Sequence, residues 1–137
     1  MIHQHCCIPS AKWCVDVFYD VRPNNADEIL DELWDLGCAE RYMYKAERLL
    51  RSGVSNEGLT YSNKQEHRTL IVITRASSVG EFISTTIHEV DHMVDHISQY
   101  YNIPYDSEEN SYLIGDIAKT IYEDAVKKAI KLFRYYL

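Results

Sequence analysis

The stretch Ser78–Tyr101, SVGEFISTTIHEVDHMVDHISQYY, carries the pattern on which the predicted fold depends. Its apolar residues recur at alternating spacings of four and three, which is the pattern of an amphipathic helix. They are Ile83, Ile87, Val90, Val94 and Ile97. Ser78 stands three residues before Glu81, as in a capping box, so we expect the helix to begin there. The stretch therefore predicts a long helix that packs one apolar stripe on a sheet.

The same helix contains an H-E-x-x-H motif, from His88 to His92. Residues four apart lie on one helix face, one turn from each other, so His88 and His92 can direct ring nitrogens at one metal ion. Glu89 lies about 100° round the helix from His88, where it can accept a proton from a water at that metal. Two zinc ligands and a general base in this arrangement are typical of a metalloprotease helix. The alternative is a solvated helix face that carries the motif by chance.

A catalytic zinc usually has three protein ligands and one water, so a third ligand is expected downstream. Pro104 ends the first helix, and Asp106 or Ser107 can cap a second one. With Asp106 as the cap, Glu109 would close a capping box, which leaves Glu108 freer to turn toward the metal. We therefore expect Glu108 to be the third ligand and keep Glu109 as the alternative.

Other residues of the two helices have candidate roles at the same site. Tyr112 lies four residues after Glu108, on the same helix face, and is a candidate for stabilising an oxyanion; the alternative is a core tyrosine. His96 is another possible third ligand, although it would lie about 12 Å from His88 along the helix axis. Asp95 or His96 could instead close the fourth coordination position, which would make the metal structural.

The two motifs together resemble a known family. H-E-x-x-H at His88–His92, followed by E-x-x-S-Y-x-x-G at Glu108–Gly115, resembles the small gluzincin-type zinc metallopeptidases. The run from residue 58 to residue 121 is similar to small uncharacterised zinc-peptidase-like proteins of gut bacteria and their phages. It departs from their commonest pattern at Ser111, where alanine is usual. The resemblance implies a zincin-like fold, bound Zn²⁺ and hydrolysis of a peptide or protein substrate, but no particular substrate.

The composition bounds the other function classes. The chain has 137 residues, which we expect to form one domain over residues 1–137. The net charge is −7, and no block is rich in lysine and arginine, so we expect no nucleic-acid partner. No apolar run approaches about 18 residues, so no membrane span is expected. The competing function is a non-catalytic zinc-binding interaction module of bacterial or phage origin.

The first residues predict little order and a cytoplasmic setting. They lack the basic region and apolar core of a secretory signal, so we expect a cytoplasmic protein with reduced thiols at Cys6, Cys7, Cys14 and Cys38. Residues 1–10 are predicted to be a flexible arm. His3, His5, Cys6 and Cys7 could bind a second metal, although adjacent cysteines lack the usual C-x₂-C spacing.

The remaining pattern predicts an α+β protein with a small, mainly antiparallel sheet, a zincin-like active-site helix and a long C-terminal helix. Strands are expected at 12–21, 58–62 and 67–75, and helices at 25–36 and 39–51. Leu70–Ile73 is a continuous apolar run, so its strand should be central. Gly58–Ser62 is expected at an edge, where it could pair with an extended peptide. The C-terminal helix should bury Leu113, Ile114, Ile117, Ile121, Ala125 and Ile130.

Overall fold

A four-stranded sheet in the order β1-β2-β4-β3 organises the molecule. The computed structural model describes residues 1–133, with the side chains of residues 1–125 and 127. The strands are β1 (Ile2–Ile8), β2 (Trp13–Val21), β3 (Gly58–Asn63) and β4 (Arg68–Thr74). The helices are α1 (Ala26–Asp35), α2 (Glu40–Ser52), α3 (Val79–Tyr101) and α4 (Glu108–Phe133). Short 3₁₀ turns lie at Pro9–Ala11 and Pro23–Asn25.

The sheet is mixed, and the predicted α+β class is confirmed. β1 pairs antiparallel with β2, and β3 pairs antiparallel with β4, whereas β2 and β4 are parallel. The parallel pair needs a crossover, which α1, α2 and β3 supply between β2 and β4. β4 is central and β3 is an edge strand, as the apolar run and the shorter strand predicted.

Each face of the sheet has its own hydrophobic core. On one face α3 and α4 pack on β1, β2 and β4. On the other face α1 and α2 pack on β2, β3 and β4. The first core includes Ile8, Trp13, Tyr19, Ile71, Phe82, Met93, Ile97, Ile117 and Ile121. The second includes Phe18, Ile29, Leu33, Leu50, Leu59, Leu70 and Val72. No helix among the described residues is long and apolar enough to cross a membrane.

The prediction of a flexible arm over residues 1–10 is wrong. Ile2–Ile8 pairs with β2 at every position, and alternate residues of β1 point into the first core. Gln4 accepts a hydrogen bond from the Tyr19 hydroxyl and donates one to the carbonyl of Ile121 in α4. Ile8 is fully buried. The inward-facing residues of β1 include the polar Gln4, so the strand lacks a continuous apolar alternation and the sequence predicted a flexible arm.

The helix α3 is rotated relative to the predicted stripe. Val90, Val94 and Ile97 are buried as expected, but Ile83 and Ile87 are exposed. The first turns instead bury a second set of residues, whose spacing also suits a helix face: Phe82, Thr85, Thr86, Glu89 and Met93. In α4, Leu113, Ile117, Ile121 and Ala125 are buried and Ile114 is exposed. The predicted core position Ile130 lies outside the described side chains.

The packing of β1 makes a stability prediction. Replacing Ile8 with alanine should lower the free energy of unfolding by about 2–5 kcal/mol, because the methyl groups removed leave a cavity in the first core. Chemical denaturation of the two proteins measures the difference. As a control, Ile83→Ala on the exposed side of α3 should change stability by less than about 1 kcal/mol. An Ile8→Ala variant as stable as the parent would contradict the packing of β1 on the first core and favour a flexible arm.

Candidate metal centre

The cap at Ser78 fixes the start of the helix that carries the motif. The Ser78 hydroxyl accepts a hydrogen bond from the main-chain N–H of Glu81 at 3.1 Å, so the predicted helix start is confirmed. From there α3 runs across the sheet beside the edge strand β3. This placement puts one side of the motif against β3 and the other toward solvent.

His88 and His92 lie on the solvent side with their rings close together. Their Nε2 atoms are 3.2 Å apart, and the rings are nearly perpendicular. Two nitrogens bound to one tetrahedral zinc, each at about 2.05 Å, lie about 3.3 Å apart. The pair therefore has the separation that a shared zinc requires. Without a metal, the same distance allows one imidazole to donate a hydrogen bond to the other.

Glu89 lies on the buried side and is only 4% exposed. Its Oε2 is 3.9 Å from Nε2 of His88. The Thr60 hydroxyl of β3 donates to Glu89, with Oε1 at 2.9 Å and the main-chain carbonyl at 3.1 Å. A buried carboxylate needs such a donor, because burial without one would cost several kcal/mol. Thr60 thus fixes the carboxylate beside the two histidines.

Gly58 makes room for this carboxylate. A Cβ atom at position 58 would lie 2.8 Å from Cγ of Glu89 and 2.4 Å from the carbonyl oxygen of Val72. Both distances are too short for any side chain. The glycine is therefore required both by the main chain of the neighbouring strand β4 and by the side chain of Glu89 on α3.

His96 is held in the next turn of α3 by a chain of hydrogen bonds. Its Nδ1 is 2.7 Å from the Ser62 hydroxyl, which contacts the Thr69 hydroxyl at 2.7 Å, and Trp13 donates to Thr69 at 2.8 Å. Burial, with smaller contributions from Lys64 and His92, lowers the pKa of His96. His96 does not belong to the metal-competent group of described residues, which consists of His88, Glu89 and His92 with all ligand atoms within 4.8 Å. It therefore does not close a coordination position in this arrangement.

A cleft of about 400 Å³ opens beside the motif, between α2, α3 and β3. His88, Glu89 and His92 line it together with Tyr42 of α2. The Tyr42 hydroxyl donates to the carbonyl of Thr60 at 2.8 Å, and burial raises the pKa of this phenol. A second cavity, of about 290 Å³, lies on the far side of the His88–Glu89 pair. Gly58, His88 and Glu89 line both cavities, so the motif is bordered by concave surface at the edge of the sheet.

The structure does not bring Glu108 to this group. The Ser107 hydroxyl, and not Asp106, caps α4 by accepting from the main-chain N–H of Asn110 at 3.1 Å. Asn110 in turn accepts from Ser98 of α3 at 2.6 Å. Ser98 is six residues beyond His92, or about 9 Å along the axis, so the start of α4 lies well away from the two histidines. Because Ser107 is the cap, Glu109 does not stand at the position that closes a capping box. Capping therefore gives no reason to prefer Glu108 over Glu109 as a metal ligand.

Tyr112 and Glu109 lie at a different place. Both line a cavity of about 410 Å³ between the β1–β2 turn, the end of α3 and α4, with Tyr101 and Asp116. Tyr112 is 72% exposed. The candidate for stabilising an oxyanion is therefore not at the cleft, and the tyrosine that lines the cleft is Tyr42.

Comparison with protein-family models, with curated proteins and with solved structures found no match to this chain. The resemblance to gluzincin-type peptidases therefore stays an expectation.

Three residues of the site were missed in the sequence. Thr60 and Gly58 are separated from Glu89 by some thirty positions, and nothing local links them to it. The alternation of Gly58, Thr60 and Ser62 on one face of a predicted edge strand is the signal that could have pointed to a polar contact with the helix. Tyr42 was missed because its hydrogen-bond partner is a main-chain carbonyl, which a sequence pattern does not identify.

The hydrogen bond between Thr60 and Glu89 makes a second prediction. Thr60→Val keeps the shape of the side chain but leaves the buried carboxylate without its donor, so the free energy of unfolding at neutral pH should fall by about 1–3 kcal/mol. Thr60→Ser retains the hydroxyl and should lose much less. Urea denaturation of the three proteins measures both effects. A Thr60→Val variant as stable as the parent would mean that the hydrogen bond to Glu89 does not contribute to stability.

Proposed function

We propose that the protein is a zinc-dependent peptidase with its reaction centre at the His88–Glu89–His92 cluster. The observation that carries this proposal is the combination of two exposed imidazoles at zinc-sharing distance with a buried, hydrogen-bonded carboxylate, at the mouth of a cleft. A chance surface motif has no reason to hold a carboxylate buried beside two exposed histidines. A structural zinc site would be closed by a further side chain, and His96 does not close this one.

The residues of the cluster have separate roles in the proposed hydrolysis of an amide bond. His88 and His92 would hold the zinc through Nε2. When bound, zinc supplies Lewis acidity that polarises a peptide carbonyl and lowers the pKa of a water. Glu89 accepts the proton of the attacking water and passes it to the leaving amine. Thr60 keeps the carboxylate in place during both transfers. Tyr42, at the wall of the cleft, replaces Tyr112 as the candidate phenol near the carbonyl.

The edge strand β3 offers a way to bind an extended peptide. In an antiparallel pair the main-chain groups point alternately toward the partner strand and away from it. Glu57 accepts from the N–H of Thr74, so Gly58, Thr60 and Ser62 turn their main-chain groups outward. The bond from Tyr42 to the carbonyl of Thr60 agrees with this alternation. A peptide paired with this edge would run past the two histidines.

His88 and His92 supply two ligands, and a catalytic zinc site needs a third protein ligand. Glu57 is an exposed carboxylate that lines both cavities beside His88 and Glu89, so rotation of its side chain could supply an oxygen ligand without movement of a helix. Glu108 would need α4 to move. We therefore propose Glu57 as the third ligand.

Zinc affinity tests the ligand set. His92→Ala should weaken zinc binding at this site by more than about 100-fold, because even partners of a ligand contribute 10–100-fold. Glu57→Gln should weaken binding, whereas Glu108→Gln should leave it unchanged. Competition with a chromophoric chelator measures each affinity, and circular dichroism checks that each variant is folded. Loss of zinc binding in Glu108→Gln, but not in Glu57→Gln, would restore Glu108 as the ligand.

Hydrolysis tests the mechanism. The zinc-loaded protein should cleave members of a mixed peptide library, and Glu89→Gln should reduce the rate by about 10²–10⁴-fold while zinc stays bound. The amide can still accept the hydrogen bond from Thr60, so the variant should fold. Mass spectrometry of the library after incubation gives the readout. A zinc-loaded parent without cleavage would favour the interaction module, and an active Glu89→Gln variant would remove Glu89 as the base.

A further inference from the structure

A second group of metal-competent side chains lies on the β1–β2 hairpin. Cys7 and Cys14 are opposite each other in the register of the two strands and form a disulfide. The expectation that these two cysteines are reduced thiols is thus not met, whereas Cys6 and Cys38 are free. His5 lies two residues before Cys7, on the same face of β1, with its Nε2 3.8 Å from Sγ of Cys7. The ligand atoms of His5, Cys7 and Cys14 all lie within 4.8 Å of one another.

Asp16 sets the orientation of the His5 ring. Its Oδ1 is 2.9 Å from Nδ1 of His5 and 2.8 Å from Nε2 of His3, and Arg68 lies 3.8 Å from Oδ2. Because a carboxylate only accepts, Nδ1 of His5 carries a proton, and in the neutral imidazole Nε2 then has the free lone pair. That lone pair is directed toward Cys7. A carboxylate, a histidine and a metal in this order are a recurring arrangement at zinc sites.

We propose that the reduced hairpin binds one zinc ion through Cys7, Cys14 and His5, and that the Cys7–Cys14 disulfide is the metal-free, oxidised form of the same site. A thiolate sulfur and an imidazole nitrogen at one tetrahedral zinc lie about 3.6 Å apart, close to the distance between Cys7 and His5. Two thiolate sulfurs bound to such a zinc lie about 3.8 Å apart. The sulfurs of Cys7 and Cys14 must therefore move apart after the disulfide is reduced. Cys7 and His5 are exposed, which leaves their side chains room to adjust. Solvent supplies the fourth ligand.

The exchange between the two forms balances with a thiol reductant. Two external thiols reduce the Cys7–Cys14 disulfide by two electrons and two protons and are themselves joined in a disulfide. Binding of Zn²⁺ then displaces the two thiol protons, since the thiolate is the ligand. Oxidation by an external disulfide reverses the sequence and releases the metal. The hairpin is therefore cross-linked in both forms, once by sulfur and once by zinc.

The free cysteine of β1, Cys6, takes no part. Cys6 points to the opposite face of the strand, toward the core under α4. Burial, with smaller contributions from Asp124 and Asp16, raises the pKa of its thiol to about 11. Cys6 therefore serves as the matched control for its neighbour Cys7.

Cobalt(II) titration of the tag-free chain tests the proposal, because only thiolate ligands give a near-ultraviolet charge-transfer band with this metal. The reduced protein should show the band, and zinc should displace the cobalt. Treatment with glutathione disulfide should abolish the band. Cys7→Ser and Cys14→Ser should each remove most of its intensity, whereas Cys6→Ser should retain it. Asp16→Asn should weaken the affinity by about 10–100-fold, as loss of a partner of a ligand does.

A double variant separates this site from the cleft. His88→Ala with His92→Ala removes the proposed zinc ligands on α3 and should leave the thiolate band of the hairpin intact. A reduced parent without the band, or a band that survives in Cys7→Ser and Cys14→Ser, would overturn the second site. His5→Ala with unchanged affinity would also overturn the ligand set. None of these results bears on hydrolysis at Glu89.

Discussion

The hydrogen bond from Thr60 to Glu89 is the contact on which the rest of the site depends. It joins the edge strand to α3 at a point where the Glu89 carboxyl is buried, and a buried polar group without a hydrogen-bond partner would be destabilising. Because Glu89 must face β3, the rotation of α3 about its axis is set. His88, one residue earlier, and His92, three residues later, are then turned toward solvent on the same side. Gly58 allows the approach, since any side chain there would displace Glu89.

This arrangement gives the cleft two properties that a hydrolytic site needs. Glu89, the proposed base, is largely shielded from water, while the histidine nitrogens proposed to bind the metal are on exposed side chains. The edge of β3 lies beside both, so the main chain of a peptide can be bound without reference to its side chains. Such binding would favour extended peptides of varied sequence. Selectivity would then depend on the walls of the cleft, where Tyr42 and Lys45 are contributed by α2.

The sequence predicted those parts of the molecule that depend on local pattern. The cap at Ser78, the extent of α3 and the central position of β4 follow from periodicity and capping, and they are confirmed. The rotation of α3 could not be predicted, because its first turns bury Thr85, Thr86 and Glu89 in place of the apolar Ile83 and Ile87. The position of Glu108 depends on how α4 packs on α3, which is set by a contact between Ser98 and Asn110 that no local pattern encodes.

Cys6 and Cys7 are a second case in which the sequence alone could not identify the members of a site. Adjacent residues of a strand point to opposite faces, so once β1 is recognised as a strand, Cys6 and Cys7 cannot share a ligand site. The partner of Cys7 is selected by the hairpin register, which places Cys14 opposite it and brings Asp16 opposite His5. The hairpin site thus depends on one strand pairing, whereas the cleft depends on the packing of a helix on a sheet. The two proposed metal sites therefore depend on different contacts, because no residue of the hairpin group contacts Glu89 through Thr60.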